Sequence, residues 1–196
     1  MSDLFHEAVP TVYIERVVKI MLGANWHTFQ VLTKRAERMS QLLQNLFHDA
    51  AKAQHIWWGV SMENRKHGLP RIDHLRRAQP AVGWISVEPL LEHLGGINLT
   101  GIHWVVAGGE SGPRARPAHP NWFRSLRNQC EEVAVPFFFK QWGEWMPEDL
   151  SQFIGTTHSP LYHWDSYGDY SVRVGKKLAG RLLDGVEYNE FPEVAK

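Results

Sequence analysis

The sequence predicts an α/β fold, a partial parallel (β/α) barrel with an irregular C-terminal appendage. Three observations carry the parallel α/β sheet, which periodicity alone leaves either closed as a barrel or open. Five short apolar runs recur between residues 28 and 139, mostly separated by stretches with helical spacing, the pattern of a parallel sheet covered by helices. The runs are apolar on both faces, as strands buried on both sides are. Each run also stops at charged or amide residues.

The first helix is predicted over Thr11–Leu22, where Val12, Ile14, Val17, Val18, Met21 and Leu22 recur at helical spacing behind Pro10, a residue tolerated at a helix start. Gly23–Asn25 ends it, and Thr28–Thr33 reads as the first strand. Ala36–Ala53 reads as a helix with Met39, Leu42, Leu43, Leu46 and Phe47 on one face. Ile56–Ser61 is the second strand, followed over Asn64–Ala78 by a charged, weaker helix interrupted by Gly68 and Pro70. Val82–Val87 is a strand that stops at Glu88-Pro89, and Ile102–Ala107 is another that runs into Gly108-Gly109. Pro120–Val133 is an amphipathic helix with Trp122, Leu126, Cys130 and Val133 on one side, and Val135–Phe139 is the last strand.

After Gly143 the texture changes to Gly, Asp, Tyr and His without long apolar periodicity. Leu182-Leu183-Asp184-Gly185 is a turn signal. Residues 1–143 are therefore expected to form the partial barrel, and residues 144–196 an appendage packed on the same domain. The length favours a single domain with one sizeable core.

Composition excludes several function classes. Lys plus Arg and Asp plus Glu both total 21, so no overall field draws the chain toward DNA or anionic membrane, although a local basic patch would not show in a total. Cys130 is the single cysteine, so neither an intrachain disulfide nor a cysteine-based metal centre can be built from this chain alone. No apolar run is long enough to span a bilayer, and the N-terminus lacks the n- and h-regions of a signal peptide. A cytoplasmic protein without membrane contact is expected. The nine Trp must line a core, a pocket or a partner surface.

In parallel α/β architectures ligands bind beyond the carboxyl ends of the strands. That rule gathers Lys34, Glu63, Asn64, Glu88, Gly108, Gly109, Glu110, Ser111, Lys140, Gln141 and Trp142 as a candidate ligand-binding cleft, with no catalytic acid or base assigned. The glycines of Gly108-Gly109-Glu110-Ser111-Gly112 let backbone N–H groups approach a ligand, and Glu110 can accept from an ammonium or hydroxyl. A tight turn with a solvated Glu is the alternative. The spacing is that of neither a P-loop nor a dinucleotide fingerprint. Trp142 and Trp145 are placed either to wall a pocket for a planar ligand, or to seal the barrel bottom or pack the appendage. The His spacings contain no zinc signature, so no metal site is expected. Cys130, on an apolar helix face, reads as a core thiol.

Seven motifs in order carry a family resemblance: Met1–His6, Phe29–Arg35, Gly59–Asn64, Ser86–Leu90, Gly108–Gly112, Phe137–Gly143 and Val174–Lys177. Together they resemble, from end to end, the largely uncharacterised bacterial and phage family named after phage gene products thirty-seven and sixty-eight. Complete members carry an N-terminal three-cysteine motif like that of radical S-adenosylmethionine (SAM) enzymes, in which three cysteines hold a four-iron cluster whose open iron binds SAM. The resemblance thus implies a radical-SAM-like barrel, and an iron–sulfur cluster with SAM in complete members. It adds Asp3 of the first motif to the cleft. Gly108-Gly109-Glu110 is similar to the Gly-Gly-Glu turn that contacts the SAM amino group, although it comes late in the strand order.

By the same resemblance Met1 lies in the loop after the second strand, so the three cysteines and the first two strands are expected to be missing. The expected function is that of an N-terminally truncated member, with its polar cleft retained, no cofactor of its own and little activity alone. Its substrate would be an unidentified small molecule or nucleic acid. An uncovered strand edge would favour self-association. The rival expectation is a non-enzymatic phage or mobile-element module that binds nucleic acid or protein through a Trp-rich surface.

Overall fold

A computed structural model describes residues 3–147, 159–164 and 169–193. Helix α1, Thr11–Gly23, buries Ile14, Val18 and Met21 and leads into strand β1, Phe29–Thr33. The predicted second helix is two: α2, Ala36–Asn45, and α3, His48–Lys52. The break comes where the N–H groups of Leu46 and Phe47 both donate to the Leu42 carbonyl, at 2.9 Å each. It turns Phe47 inward and leaves Leu46 exposed, so Leu46 does not share the buried face. Strand β2 is Ile56–Ser61.

Helix α4, Arg65–Ala78, runs through both residues expected to interrupt it. Pro70 forfeits one bond near the helix start. Gly68 serves packing, because a Cβ there would lie 2.2 Å from Met62 Cγ. Strand β3 is Val82–Val87, followed by a cis Glu88–Pro89 peptide bond. The connection to β4, Trp104–Gly108, contains no helix, and Leu90, Leu94, Leu99 and Ile102 bury themselves in its place. Helix α5, Pro120–Glu132, buries Phe123, Leu126 and Cys130. Val133, expected on that face, lies past the helix end and is exposed. Strand β5 is Phe137–Gln141.

β1 to β5 form one parallel sheet in sequence order. Its two faces differ. Ile56, Trp58, Val60, Ile85, Val87, Val105, Ala107, Phe137 and Phe139 share one core with the buried residues of α1 to α5. On the opposite face Trp57, Val82, Trp84, Trp104 and Val106 pack among themselves with Leu32 and Phe138, all of them strand residues. Alternate strand residues point to opposite faces, so α1 to α5 all cover one face. The other is paved by indoles: Trp57 and Trp104 lie 5.6 Å apart, Trp84 and Trp104 5.3 Å. Gly59 makes room for this paving, because a Cβ there would meet the Trp84 ring at 2.3 Å.

The two sheet edges also differ. Along β5, Phe139 N–H donates to Tyr188 O (3.1 Å) and Glu190 N–H to Phe137 O (3.3 Å). Among the described residues β1 pairs only with β2. Beyond β5 the appendage holds a second, antiparallel sheet of β6 (Trp145–Pro147), β7 (Leu161–His163) and β8 (Tyr170–Arg173), ordered β6-β8-β7, then the short helix α6, Lys176–Ala179. No helix among the described residues is long and apolar enough to cross a membrane.

Candidate functional site

Because the strands are parallel, Lys34, Glu63, Glu88, Glu110 and Lys140 all stand at one end of the sheet. Strand alternation sets where the last strand residues point. Val60 and Val87 are buried in the helix-side core, so Ser61 and Ser86 face the helix-free side above the indoles, while Glu63 and Glu88 stand just beyond the ends of β2 and β3. The sequence writes this as a repeated Ser-x-Glu, Ser61-Met62-Glu63 and Ser86-Val87-Glu88, on adjacent strands with Ser61 opposite Ser86. Ser61 is 6% and Ser86 4% exposed. Neither hydroxyl has a hydrogen-bond partner among the described residues, and neither oxygen is sealed from solvent.

The carboxylates above them are held from either side. Glu63 pairs with Lys34 through one oxygen and with Arg71 through the other, at 3.0 Å. Burial works against its charge, but Lys34 and Arg71 together outweigh burial and hold the carboxyl below its usual range. Glu88 accepts from Lys140 Nζ at 2.9 Å and from Gln141 Nε2 at 3.2 Å. Consecutive residues of a regular strand could not both do this. The register slips between Ala107, opposite Phe139, and Gly108, opposite Gln141, leaving Lys140 as the extra residue of a bulge, a device that re-aims side chains next to functional sites. Gly108 supplies the space, since a Cβ there would stand 3.0 Å from Glu88 Oε1.

Other expected cleft residues are occupied elsewhere. Asp3 ties the N-terminal loop to the end of β1: its carboxylate accepts from Thr33 Oγ1 (2.7 Å), Phe5 N–H (2.9 Å) and Arg35 (3.0 Å). Burial opposes its charge, but these bonds prevail and lower its pKa. Asn64 caps α4 by accepting from His67 N–H. Glu110 is gripped by Arg116 through the backbone N–H, Nε and Nη2, each at 2.8 Å, which lowers its pKa. Ser111 Oγ accepts from Gln141 at 3.1 Å.

Gly109 turns out to serve strand packing. A Cβ there would fall 1.8 Å from Trp142 O, and one on Gly143 2.1 Å from Glu110 O. Trp142 belongs to the core, not the cleft. It is 3% exposed, stacks edge-on against Phe123 and Phe139, and donates to Leu182 O at 2.8 Å. Trp145, in β6, packs edge-on against Tyr162 of the appendage at 6.3 Å and donates to Ala115 O of the loop after β4.

The model of one protein family, described as Protein of unknown function (DUF5131), matches residues 1–192. The chain belongs to that family. No curated protein and no solved structure matches it. A depression of about 970 Å³ in this DUF5131 chain lies at the opposite end of the sheet, lined by Ile97–His103, Cys130, Glu131, Val133–Pro136 and Glu190–Glu193. Arg71, Ser61, Ser86 and the Lys140 bulge were not singled out from sequence. The period-two Ser-x-Glu repeat was the available signal for the serines. The bulge has none.

Proposed function

We propose that this chain forms a small-molecule binding cleft over the strand C-termini of a (β/α)-barrel protein. By its motifs the protein would be phage-associated and radical-SAM-like, with this chain supplying none of the cluster ligands. One observation carries the reading: two adjacent strands end in Ser hydroxyls that have no protein partner among the described residues and stay open to solvent, on the face free of α1 to α5, with restrained carboxylates just beyond them. A layer of helices on one face only is the arrangement of a barrel wall, whereas a doubly wound sheet carries helices on both.

The residues of this chain do not fit an iron–sulfur cluster. Cys130 is buried in α5, and burial, with Glu190 and Glu131 nearby, pushes its thiol up to about 12. A coordinating thiolate needs the opposite shift. Among the described residues no group of three His, Cys, Asp or Glu side chains is placed to hold a metal. The chemistry assigned to the cleft is therefore recognition: hydroxyls from Ser61 and Ser86, carboxylates from Glu63 and Glu88, ammonium groups from Lys34 and Lys140. Such a set suits a small polar molecule bearing hydroxyl and ionic groups.

The rival reading needs a Trp-rich surface. Trp26 is 75% exposed, but Trp57, Trp58, Trp84, Trp104 and Trp142 are buried. Thermal-shift screening with a panel of polar metabolites that includes SAM tests the cleft. A ligand at one hundred times its Kd adds about 2.7 kcal/mol, roughly 5–10 °C for a chain of this size. The shift should vanish in Ser86→Ala and Glu88→Gln. Ligands that shift both variants as they do the wild type would reject the assignment.

A further inference from the structure

The chain's formal charge is zero, yet its cations gather. The loop after β4 meets the appendage where Arg173 Nη2 donates to Gly112 O (3.1 Å) and Pro113 O (2.7 Å). Gly112 N–H donates to Glu144 Oε1 (3.1 Å), and the N–H groups of Val174 and Gly175 donate to Glu144 O, each at 3.1 Å. These bonds bring Arg114, Arg116, Arg173, Lys176 and Lys177 into one neighbourhood beside the C-terminal ends of β4 and β5. Glu110 and Glu144 are the described carboxylates among them, and Glu110 is spent on Arg116. Arg114, Lys176 and Lys177 are exposed and make no ion pair among the described residues. Arg173 spends donors on carbonyls, which leave its charge in place. Glu131, Glu190 and Glu193 stand at the far end of the sheet, beside the N-terminal groove.

We propose that this patch binds the phosphate backbone of a single-stranded nucleic acid. Exposed cations not neutralised by carboxylates are what phosphodiester binding uses, through release of counterions condensed on the strand. The patch adjoins Lys140 and Gln141, so a strand held there carries its free bases to the mouth of the cleft, whereas a duplex keeps them stacked. The preference for a single strand rests on the cleft reading. The backbone contact does not.

The test is fluorescence anisotropy of a labelled oligothymidylate of about 20 nucleotides, longer than the roughly 4–16 that one binding module covers. The salt dependence is read as about −0.7 in log K against log[salt] per neutralised phosphate. The wild-type slope should be about −2.8 for the four cations without a carboxylate partner. The triple variant Arg114→Ala/Lys176→Ala/Lys177→Ala should lose about 2 from that slope and weaken binding at least ~10-fold, with its melting temperature unchanged. Lys66→Ala/Arg77→Ala on α4 should bind as wild type does. Absence of binding at about 50 mM salt, or an unchanged slope in the triple variant, would overturn the proposal. So would binding to phosphatidylserine vesicles in place of the oligonucleotide. Glu88→Gln separates the two readings, because it should abolish the small-molecule shift and leave oligonucleotide affinity intact.

Discussion

Gly108 and Gly109 are neighbours in sequence, yet alanine should affect them by different mechanisms and to different extents. At Gly108 the new methyl would meet Glu88 Oε1 at 3.0 Å, Glu88 Cδ at 3.3 Å and Gln141 O at 3.4 Å. The carboxylate is the far end of a flexible side chain and can give by a few tenths of an ångström. Gly-to-Ala also restricts the unfolded chain, a gain of about 0.4–1 kcal/mol, so the net change in stability should stay within about 1 kcal/mol. At Gly109 the methyl would meet Trp142 O at 1.8 Å and Trp142 C at 2.7 Å. That obstacle is backbone, and the Gly109 N–H to Gln141 O bond of 2.9 Å holds the two segments together. Overpacking of this kind costs about 1–3 kcal/mol, and the upper end applies because nothing flexible can yield. Gly109→Ala should therefore lower the melting temperature by roughly 6–12 °C. Urea unfolding with the m-value checked for constancy measures both variants, and Gly96→Ala, with nothing within 4 Å, is the control. A Gly109→Ala protein within about 0.5 kcal/mol of wild type, or a Gly108→Ala protein equally damaged, would refute the packing argument.

The pKa of Glu63 is depressed in the folded state. Its contribution to stability is thus present above the unfolded value and lost as pH falls through the folded one. The melting-temperature gap between wild type and Glu63→Gln should be open at pH 7 and close on acidification below about pH 4; a gap independent of pH would contradict the Lys34–Glu63–Arg71 arrangement. Cys130, buried with its thiol raised to about 12, should resist a thiol reagent at pH 8 until the protein unfolds, and rapid native labelling would place it at the surface. β1 carries neither charge nor proline against edge pairing. Sedimentation should show concentration-dependent association that Gln30→Lys suppresses, and a wild type monomeric at every concentration would show that the edge is no template.

Much of the parallel sheet was legible because buried parallel strands are continuous apolar runs. The limits of β2 and β3 coincide with the runs Ile56–Ser61 and Val82–Val87. Elements set by tertiary packing were not legible. The α2–α3 break answers to the burial of Phe47, and α4 continues past Gly68 because Met62 fills the space above it. Among the expected site residues, the strand-end rule placed Lys34, Glu63, Glu88, Lys140 and Gln141 at one end of the sheet. It could not tell which strand-end residues turn elsewhere. Glu110 turns to Arg116, six residues on in a loop of no regular pattern. Trp142 turns into the core because Gly143, with φ of +85°, reverses the chain just after it.

Whether the Ser-x-Glu strand ends bind a ligand is decided most directly by chemical-shift mapping. Isotope-labelled protein would be titrated with whichever panel compound gives the largest thermal shift. The account predicts perturbations centred on Ser61, Glu63, Ser86, Glu88 and Lys140, lost in Ser86→Ala. Shifts centred instead on the groove of Ile97–His103 and Glu190–Glu193, or no saturable shifts from any compound, would contradict it.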